Sequence, residues 1–242
     1  MPDRLRKDVI AVKDGHVAIL ALNRPPANLV NRSVLAAIGK AVEGAVADPE
    51  VRVIVVTGSD IVFSEGIDLE SFPALGDEDK RNLIRLGQDV ILSIEQAPQP
   101  TIAAIAGKAL GAGLELALAC DMRLASEDAQ FGHPEVTQGL IPLFGTSDRL
   151  ERLIGFSRSR SLIFTGEPIP AWEALEIGLV GKVAPHGAFL EAARIAAARI
   201  ANQPVGAARA AKRMMLRAEK GHRKDDADDI VKSISKRQQI GK

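Results

Sequence analysis

Hydrophobic and polar positions along this chain switch between two periods. Val17–Leu22 and Val53–Thr57 are short apolar runs rich in β-branched residues and bounded by Gly, Asn and Pro. Runs of that length and composition predict buried strands. Between them the apolar positions Val34, Ile38, Val42 and Ala45 recur at helical spacing behind Ser33, a residue type that can cap a helix start. A second helix is predicted from about Asp77 to Gln96, with Leu83, Val90, Ile91 and Ile94 on one face and Pro98 and Pro100 to stop it. Thr101–Ile105 reads as the next strand, Leu114–Cys120 as a short apolar helix and Met122–Ala125 as another strand. Strand and helix alternate through the first two-thirds of the chain, which predicts an α/β fold built from β-β-α and β-α units.

After about Gly145 the pattern becomes almost wholly helical. Pro170 and Gly178 frame a helix over Ala171 to Ile177, and Gly187–Asn202 and Pro204–Ala218 read as amphipathic helices. The tail from His222 to Lys242 is highly charged, with Ile230, Val231 and Ile234 as a thin apolar stripe. The expected organisation is an α/β core over residues 1–190 and a helical C-terminal region over 191–242 that covers a neighbour or an oligomer contact.

Composition narrows the function classes. A 46% hydrophobic fraction over 242 residues is ample for a sizeable core. Lysine plus arginine equal aspartate plus glutamate at 31 each, so no positive field points to nucleic acid or an anionic membrane, and 3% aromatics offers little for base stacking. Cys120 stands alone, which excludes an intrachain disulfide framework and a multi-cysteine zinc site and suits an inert core residue. The four His are too scattered for a metal motif. Met1 to Val12 is charged from the start, without the apolar stretch of a secretory signal. Thr101 to Cys120 is the most membrane-like segment, but Lys108, Glu115 and three Gly penalise a spanning helix. The expectation is a soluble cytoplasmic protein with no metal.

Candidate chemistry concentrates in three segments. In Gly111-Ala-Gly-Leu-Glu-Leu-Ala-Leu-Ala-Cys120 the glycines let backbone approach a ligand where a helix begins, and free N–H groups there suit a developing negative charge. Glu115 follows within the first turn of that otherwise apolar helix. A lone buried carboxylate costs several kcal/mol or has its pKa forced upward. The plain alternative is that Glu115 only stabilises the helix start, worth roughly 0.3–1 kcal/mol. Phe63-Ser-Glu-Gly-Ile-Asp68 can turn a second backbone amide inward at Gly66, to pair with one near Ala112 as an oxyanion hole; an ordinary turn is the competing reading. Phe131-Gly-His-Pro-Glu135 sets a second carboxylate behind a rigid Pro. Taken alone, Glu135 reads as a solvated loop residue and His133 as structural.

Together these segments resemble the enoyl-CoA hydratase/isomerase (crotonase) family. Gly107-x-x-Leu-Gly-Ala-Gly-Leu-Glu-Leu-Ala-x-x-Cys-Asp121 is similar to its strand–helix junction, Phe63-Ser-x-Gly-x-Asp-Leu69 to its first oxyanion loop, and Phe131-Gly-x-Pro-Glu135 with Gly139-x-Ile-Pro142 to the segment bearing its second acidic residue. Leu162-x-x-Thr-Gly-Glu167, Glu173-Ala174 and Gly178-Leu-Val-x-x-Val183 are similar to its downstream helices, so the resemblance runs from about Val9 to Val205. It implies a crotonase-like spiral of β-β-α units with a helical C-terminal region that makes a homotrimer or a dimer of trimers. It also implies an acyl-CoA thioester substrate whose carbonyl binds between the amides of Ile67 and Ala112, with Glu115 and Glu135 holding the water that adds across the 2,3 double bond. Ala27, Leu29, Gly66, Asp68, Leu69 and Leu143 are the further substrate-contacting positions. Coenzyme A is part of the substrate, and no separate cofactor is implied.

The chain departs from the family pattern in places. Leu143-Phe144-Gly145-Thr146 replaces a usual Gly-Ala-Gly-Gly stretch, so the acyl pocket is expected to be narrowed or reshaped. Gly66-Ile-Asp-Leu resembles the dienoyl-CoA isomerase branch, but that branch needs an acid at the position of Leu143. A 3-enoyl to 2-enoyl isomerase stays open, as does a non-catalytic acyl-CoA binder, although such binders lose one or both carboxylates. The Lys212–Arg213 and His222–Lys224 runs read as solvated faces.

Overall fold

The computed structural model describes residues 7–68, 72, 74–204 and 206–219. β1 (Val9–Asp14) and β2 (Val17–Leu22) form an antiparallel hairpin with Asp14 opposite Val17. Only Val9 of β1 is buried, so β1 is an edge strand with little apolar signal, and the sequence pattern passed over it. α1 (Arg32–Ala47) follows, with Val34, Leu35, Ile38, Val42 and Ala45 inward. Its cap is Asn31, whose side chain accepts from the Val34 amide at 3.0 Å, and not the expected Ser33. Ser33 instead donates its hydroxyl proton to the Asp8 carboxylate.

From there the chain repeats one move. A strand in a large sheet is followed within a few residues by a three-residue strand in a small sheet, then by helix. β3 (Val53–Thr57), β4 (Val62–Ser64) and α2 (Asp77–Glu95) make the first such unit, and β5 (Thr101–Ile105), β6 (Lys108–Leu110) and α3 (Ala112–Leu118) the second. β7 (Met122–Ser126) and β8 (Gln130–Gly132) begin the third, which continues through a 3-10 turn (Pro134–Gln138), α4 (Thr146–Ile154) and α5 (Phe156–Thr165). β9 (Ile169–Pro170), α6 (Ala171–Glu176) and β10 (Lys182–Ala184) precede α7 (Phe189–Ala201) and α8 (Ala207–Glu219). The large sheet runs β1-β2-β3-β5-β7-β10 and is parallel from β2 onward; the small one runs β4-β6-β8-β9, with only β9 antiparallel. The short strands and β10 lie where the sequence suggested loops or helix. Three residues cannot display a period of two, and β10 forms because β7 offers a parallel edge beside Lys182–Ala184.

The alternation of strand side chains builds a core on each face of the large sheet. Leu20, Ile54, Val56, Ala103 and Ala125 face α1, α2 and α3, while Val17, Ile19, Val53, Val55, Ile102 and Leu124 face Phe189, Ala193, Ala197 and Ala201 of α7. Burial on both faces is why these strands read as unbroken apolar runs. The expected boundary at 190/191 therefore falls inside α7, a helix that completes the core. Cys120 is buried, and burial pushes its thiol up to about 12. No helix among the described residues is long and apolar enough to cross a membrane.

α8 is held by charge as well as by packing. Lys212 is buried at 6% exposure, its Nζ 2.8 Å from Asp121 Oδ2 and 3.1 Å from the Gln99 carbonyl. The same Asp121 oxygen accepts from the amide and hydroxyl of Thr101, so one carboxylate pins α8 to the start of β5. This corrects the reading of Lys212 as part of a solvated face. His222–Lys224 and the stripe Ile230, Val231 and Ile234 lie outside the described residues.

A second tie joins the end of β7 to the turn before α7. His186 Nδ1 lies 3.1 Å from Asp128 Oδ1, and Ser126 donates to that same oxygen. The Asp128 hydrogen bond and charge raise the His186 pKa above 6.5. Burial pushes Asp128 upward, but hydrogen bonds from Ser126 and His186 outweigh it and hold the carboxyl below 3.8. The His186 contribution is full below its unfolded pKa and is lost as pH rises through the raised folded value. The Asp128 contribution is present above its unfolded pKa and is lost as pH falls through the depressed one. Thermal melts of wild type and His186→Gln should differ most near about pH 5.5 and converge by about pH 9. A gap that stays constant across that range would show that the pair does not act through charge.

Candidate active site

Glu115 sits in the first turn of α3, only 2% exposed and flanked by buried Leu114 and Leu116. Its Oε1 accepts from the Phe144 amide at 2.8 Å, the Thr146 amide at 3.2 Å and the Thr146 hydroxyl at 2.9 Å. Oε2 is equally buried and has no protein partner. Burial raises the pKa above its ordinary value; the His133 charge and the bonds from Phe144 and Thr146 oppose that rise, and the Glu135 charge adds to it. The donors come from the 143–146 segment, not from the amides at the start of α3, so this side chain is not a simple helix-start stabiliser.

The 143–146 segment thus serves the carboxylate through its backbone. Leu143 is half-buried against the core, and its carbonyl accepts from Gln88 of α2. The Phe144 ring is buried against Gly87 of α2, where an added Cβ would meet ring carbons at 2.2–2.5 Å. Thr146 escaped the sequence reading. A Thr two residues beyond an apolar pair carries no signal until the fold brings Glu115 to it.

Glu135 opens the 3-10 turn after β8 and is 6% exposed, not the solvated loop residue that its local sequence suggested. Its Oε2 also lacks a hydrogen-bond partner, and His133 Nδ1 is 3.5 Å from it. Gly111 brings this carboxylate to α3. At φ +50° it holds a conformation that L side chains rarely adopt, and a Cβ there would lie 2.5 Å from Glu135 Oε1. Only a residue without a side chain lets the second carboxylate reach the first turn that carries Glu115.

The 65–68 loop docks beside the same junction. Gly66 at φ +102° approaches so closely that a Cβ would sit 2.9 Å from the Leu110 carbonyl and 3.5 Å from the Ala112 nitrogen. Val30 pairs with this loop in parallel, donating to Gly66 O at 2.7 Å and accepting from the Asp68 amide at 3.0 Å. In a parallel bridge the bonds run to the flanking residues, so the N–H of Ile67 points away from Val30. Ala112 is the first residue of α3, where an amide has no acceptor within the helix. Asp68 is turned to Arg24, with 3.3 Å between Oδ2 and Nη2. The structure thus gathers Glu115, Glu135, Gly66, Ile67 and Ala112 around one strand–helix junction; Leu69 lies outside the described residues.

Ala27 and Leu29 are half-buried on either side of Asn28, which the sequence reading missed. Asn28 is buried at φ +48°, accepts from the Arg24 amide at 2.8 Å, and donates to the carbonyls of Val62 at 3.2 Å and Phe63 at 3.1 Å. Ser64 returns a bond to the Asn28 carbonyl at 2.8 Å, and the Glu65 amide donates to Ala27 O at 3.0 Å. Asn tolerates a positive φ better than most residues, and that was the available clue. A groove of about 750 Å³ runs under α8 past Leu118, Met122, Leu153 and Met215, but it lies at the opposite end of α3 from Gly111.

A spiral of strand pairs split between two sheets, with two buried carboxylates at a glycine-shaped strand–helix junction, defines a crotonase-type α/β protein. The chain belongs to the enoyl-CoA hydratase/isomerase family, whose model matches residues 13–236. It is 40% identical over 196 residues to the crotonyl-CoA hydratase of Syntrophomonas wolfei, covering 80% of this chain and 75% of that protein. The short-chain-enoyl-CoA hydratase of Clostridium acetobutylicum is 39% identical over 201 residues, covering 82% and 77%. The crystal structure of the enoyl-CoA hydratase from Bacillus anthracis superposes with a TM-score of 0.85 at 34% identity, covering 96% of this chain and 90% of that one.

Replacing Asn28 by Gly keeps the positive φ available but removes the side-chain donor to the Phe63 carbonyl and one of the donors to the Val62 carbonyl, which keeps its bonds from Ser59. Losing such a bond to a buried carbonyl costs about 1–3 kcal/mol. Asn28→Gly should therefore lower Tm and speed amide exchange at Gly66–Asp68, while the amides of α7, packed on the other face of the large sheet, exchange as before. Unchanged exchange at 66–68 would remove Asn28 from the support of this loop.

Proposed function

We propose that this protein is an enoyl-CoA hydratase, adding water reversibly across the 2,3 double bond of a 2-enoyl-CoA thioester. One observation carries the reading: two carboxylates from separate segments are buried at one strand–helix junction, and Glu115 keeps an oxygen, Oε2, that no protein group satisfies. Hydration needs one group to take the proton of water as oxygen adds at C3 and another to deliver a proton to C2. Glu115 and Glu135 are the pair of acid and base. The electron density displaced from the double bond collects on the thioester oxygen, and the amides of Ile67 and Ala112 stabilise it as an oxyanion hole. Because these donors are main-chain groups, Ala112 serves as well as a glycine. Ala27, Leu29, Gly66, Asp68 and Leu143 border the substrate, with coenzyme A as part of it and no further cofactor. The cytoplasm is the proposed compartment.

Glu115→Gln and Glu135→Gln should each lower crotonyl-CoA hydration by roughly 10²–10⁴-fold while binding of the ester is largely kept. The assay is best run across 2-enoyl, 3-enoyl and branched esters, because Leu143 and Phe144 stand where the family has small residues. Near-normal turnover by Glu115→Gln would overturn the two-carboxylate mechanism. A 3-enoyl ester isomerised faster than any 2-enoyl ester is hydrated would make the protein an isomerase, and binding without turnover would make it a non-catalytic acyl-CoA binder.

A homotrimer or dimer of trimers is part of the same proposal. Phe156, Phe164 and Trp172 are 63%, 70% and 65% exposed on α5 and α6, more bulky apolar surface than a monomer usually leaves in water. Light scattering at micromolar concentration should return three or six times the 25.7 kDa chain mass. A monomer mass would refute the assembly.

A further inference from the structure

His133 is fully buried between the end of β8 and the turn that carries Glu135, and neither ring nitrogen has a hydrogen-bond partner. Buried polar atoms are nearly always bonded, and an unsatisfied one costs about 1–3 kcal/mol. A histidine kept only to fill space would ordinarily bond a backbone carbonyl or a hydroxyl. Here Glu135 Oε2 faces Nδ1 at 3.5 Å and is itself unpartnered. That separation exceeds a good hydrogen bond of 2.7–3.2 Å by a few tenths, a gap that a small side-chain rotation closes.

We infer that His133 is a positioning residue for Glu135: with its proton on Nδ1 it donates to Oε2 and holds the carboxylate so that Oε1, the oxygen lying against Gly111, is the one presented to substrate. The inference rests on the reading of Glu135 as one of the two acid–base groups. A neutral imidazole has one N–H and one acceptor nitrogen, so a proton on Nδ1 makes the ring a donor to the carboxylate, and a proton on Nε2 would set two lone pairs against each other. Pro134 separates the two residues and limits backbone adjustment, leaving side-chain rotation to bring donor and acceptor together. The ring is not itself a proton carrier in the reaction, because Glu135 stands as the group nearer Gly111 and α3.

The experiment compares His133→Leu, which keeps bulk and removes the donor, with His133→Asn, whose amide nitrogen takes the place of Nδ1. Full-length wild type and variants are assayed with crotonyl-CoA, and binding of the unreactive butyryl-CoA is measured by calorimetry. The Leu variant should lose about 10–100-fold in kcat, with KM and butyryl-CoA affinity changed less than about threefold, and the Asn variant should recover to within about fivefold of wild type. Equal kcat for Leu and wild type, or equal losses for Leu and Asn, overturns the inference. Independently of turnover, ¹⁵N spectra of the imidazoles, with the His133 signal assigned by its loss in the Asn variant, should show the proton on Nδ1. A proton on Nε2 overturns the inference even if Leu fails to fold or wild type proves inactive on these esters. Inactivity combined with an Nδ1 proton sinks the hydratase reading and leaves the contact between His133 and Glu135 standing.

Discussion

Placing a carboxylate inside an apolar helix is the constraint around which this molecule is arranged. Glu115 is surrounded by buried Leu114, Leu116 and Ala117, and burial alone pushes it toward the neutral acid. An isolated ion there would cost several kcal/mol. Three donors from the Phe144 to Thr146 stretch offset that cost on one oxygen and leave the other without a protein partner. The donors reach Glu115 because α4 packs on α3, which in turn depends on the third strand pair closing both sheets. The site is thus a by-product of tertiary closure: Glu115 meets partners 29 and 31 positions later in the chain.

Splitting each strand pair between two sheets is what makes this economical. The large sheet, covered on both faces, supplies most of the core. The small sheet carries little apolar area but lines up the ends of β4, β6 and β8, from which the 65–68 loop, Gly111 and Glu135 depart in turn. Three successive units thereby deliver one site component each to neighbouring edges. Asn28 adds a cross-tie from the loop before α1, so a fourth segment is held in the same arrangement.

Much of the fold was legible because its central strands and helices carry strong periods. β2, β3 and β5 match the apolar runs residue for residue, and α2 ends one residue short of the expected Gln96. The misses have physical causes. β4, β6, β8 and β10 are each three residues long and exist through pairing, not propensity. Asn31 and Ser33 are both competent caps; the helix begins at Arg32 with Asn31 extended before it, and the Ser33 hydroxyl goes to Asp8. Lys212 looks like one half of an exposed basic pair until Asp121 is seen to hold it. Within the site, Glu115, Glu135 and the glycines stood out by motif, because chemistry fixes their identity. Asn28 and Thr146 meet partners distant in sequence, with the tolerance of Asn for a positive φ as the one local clue, and His133 stands two residues from Glu135 but is buried with it only once the chain has folded.

The groups lying over the centre of the site have a consequence for how such a sequence can drift. The amides of Ile67, Ala112 and Phe144 belong to the peptide chain, so changing the residue type at those positions alters shape without deleting a donor unless proline, which has no N–H, is introduced; Thr146 differs, because its hydroxyl as well as its amide donates to Glu115. Divergent copies could reshape the walls around the reacting atoms at 67, 112, 143 and 144 while the polar framework survives. The residue types at 67, 112, 143 and 144 thus set the contour of the walls, whereas the buried carboxyl groups of Glu115 and Glu135 have no main-chain substitute.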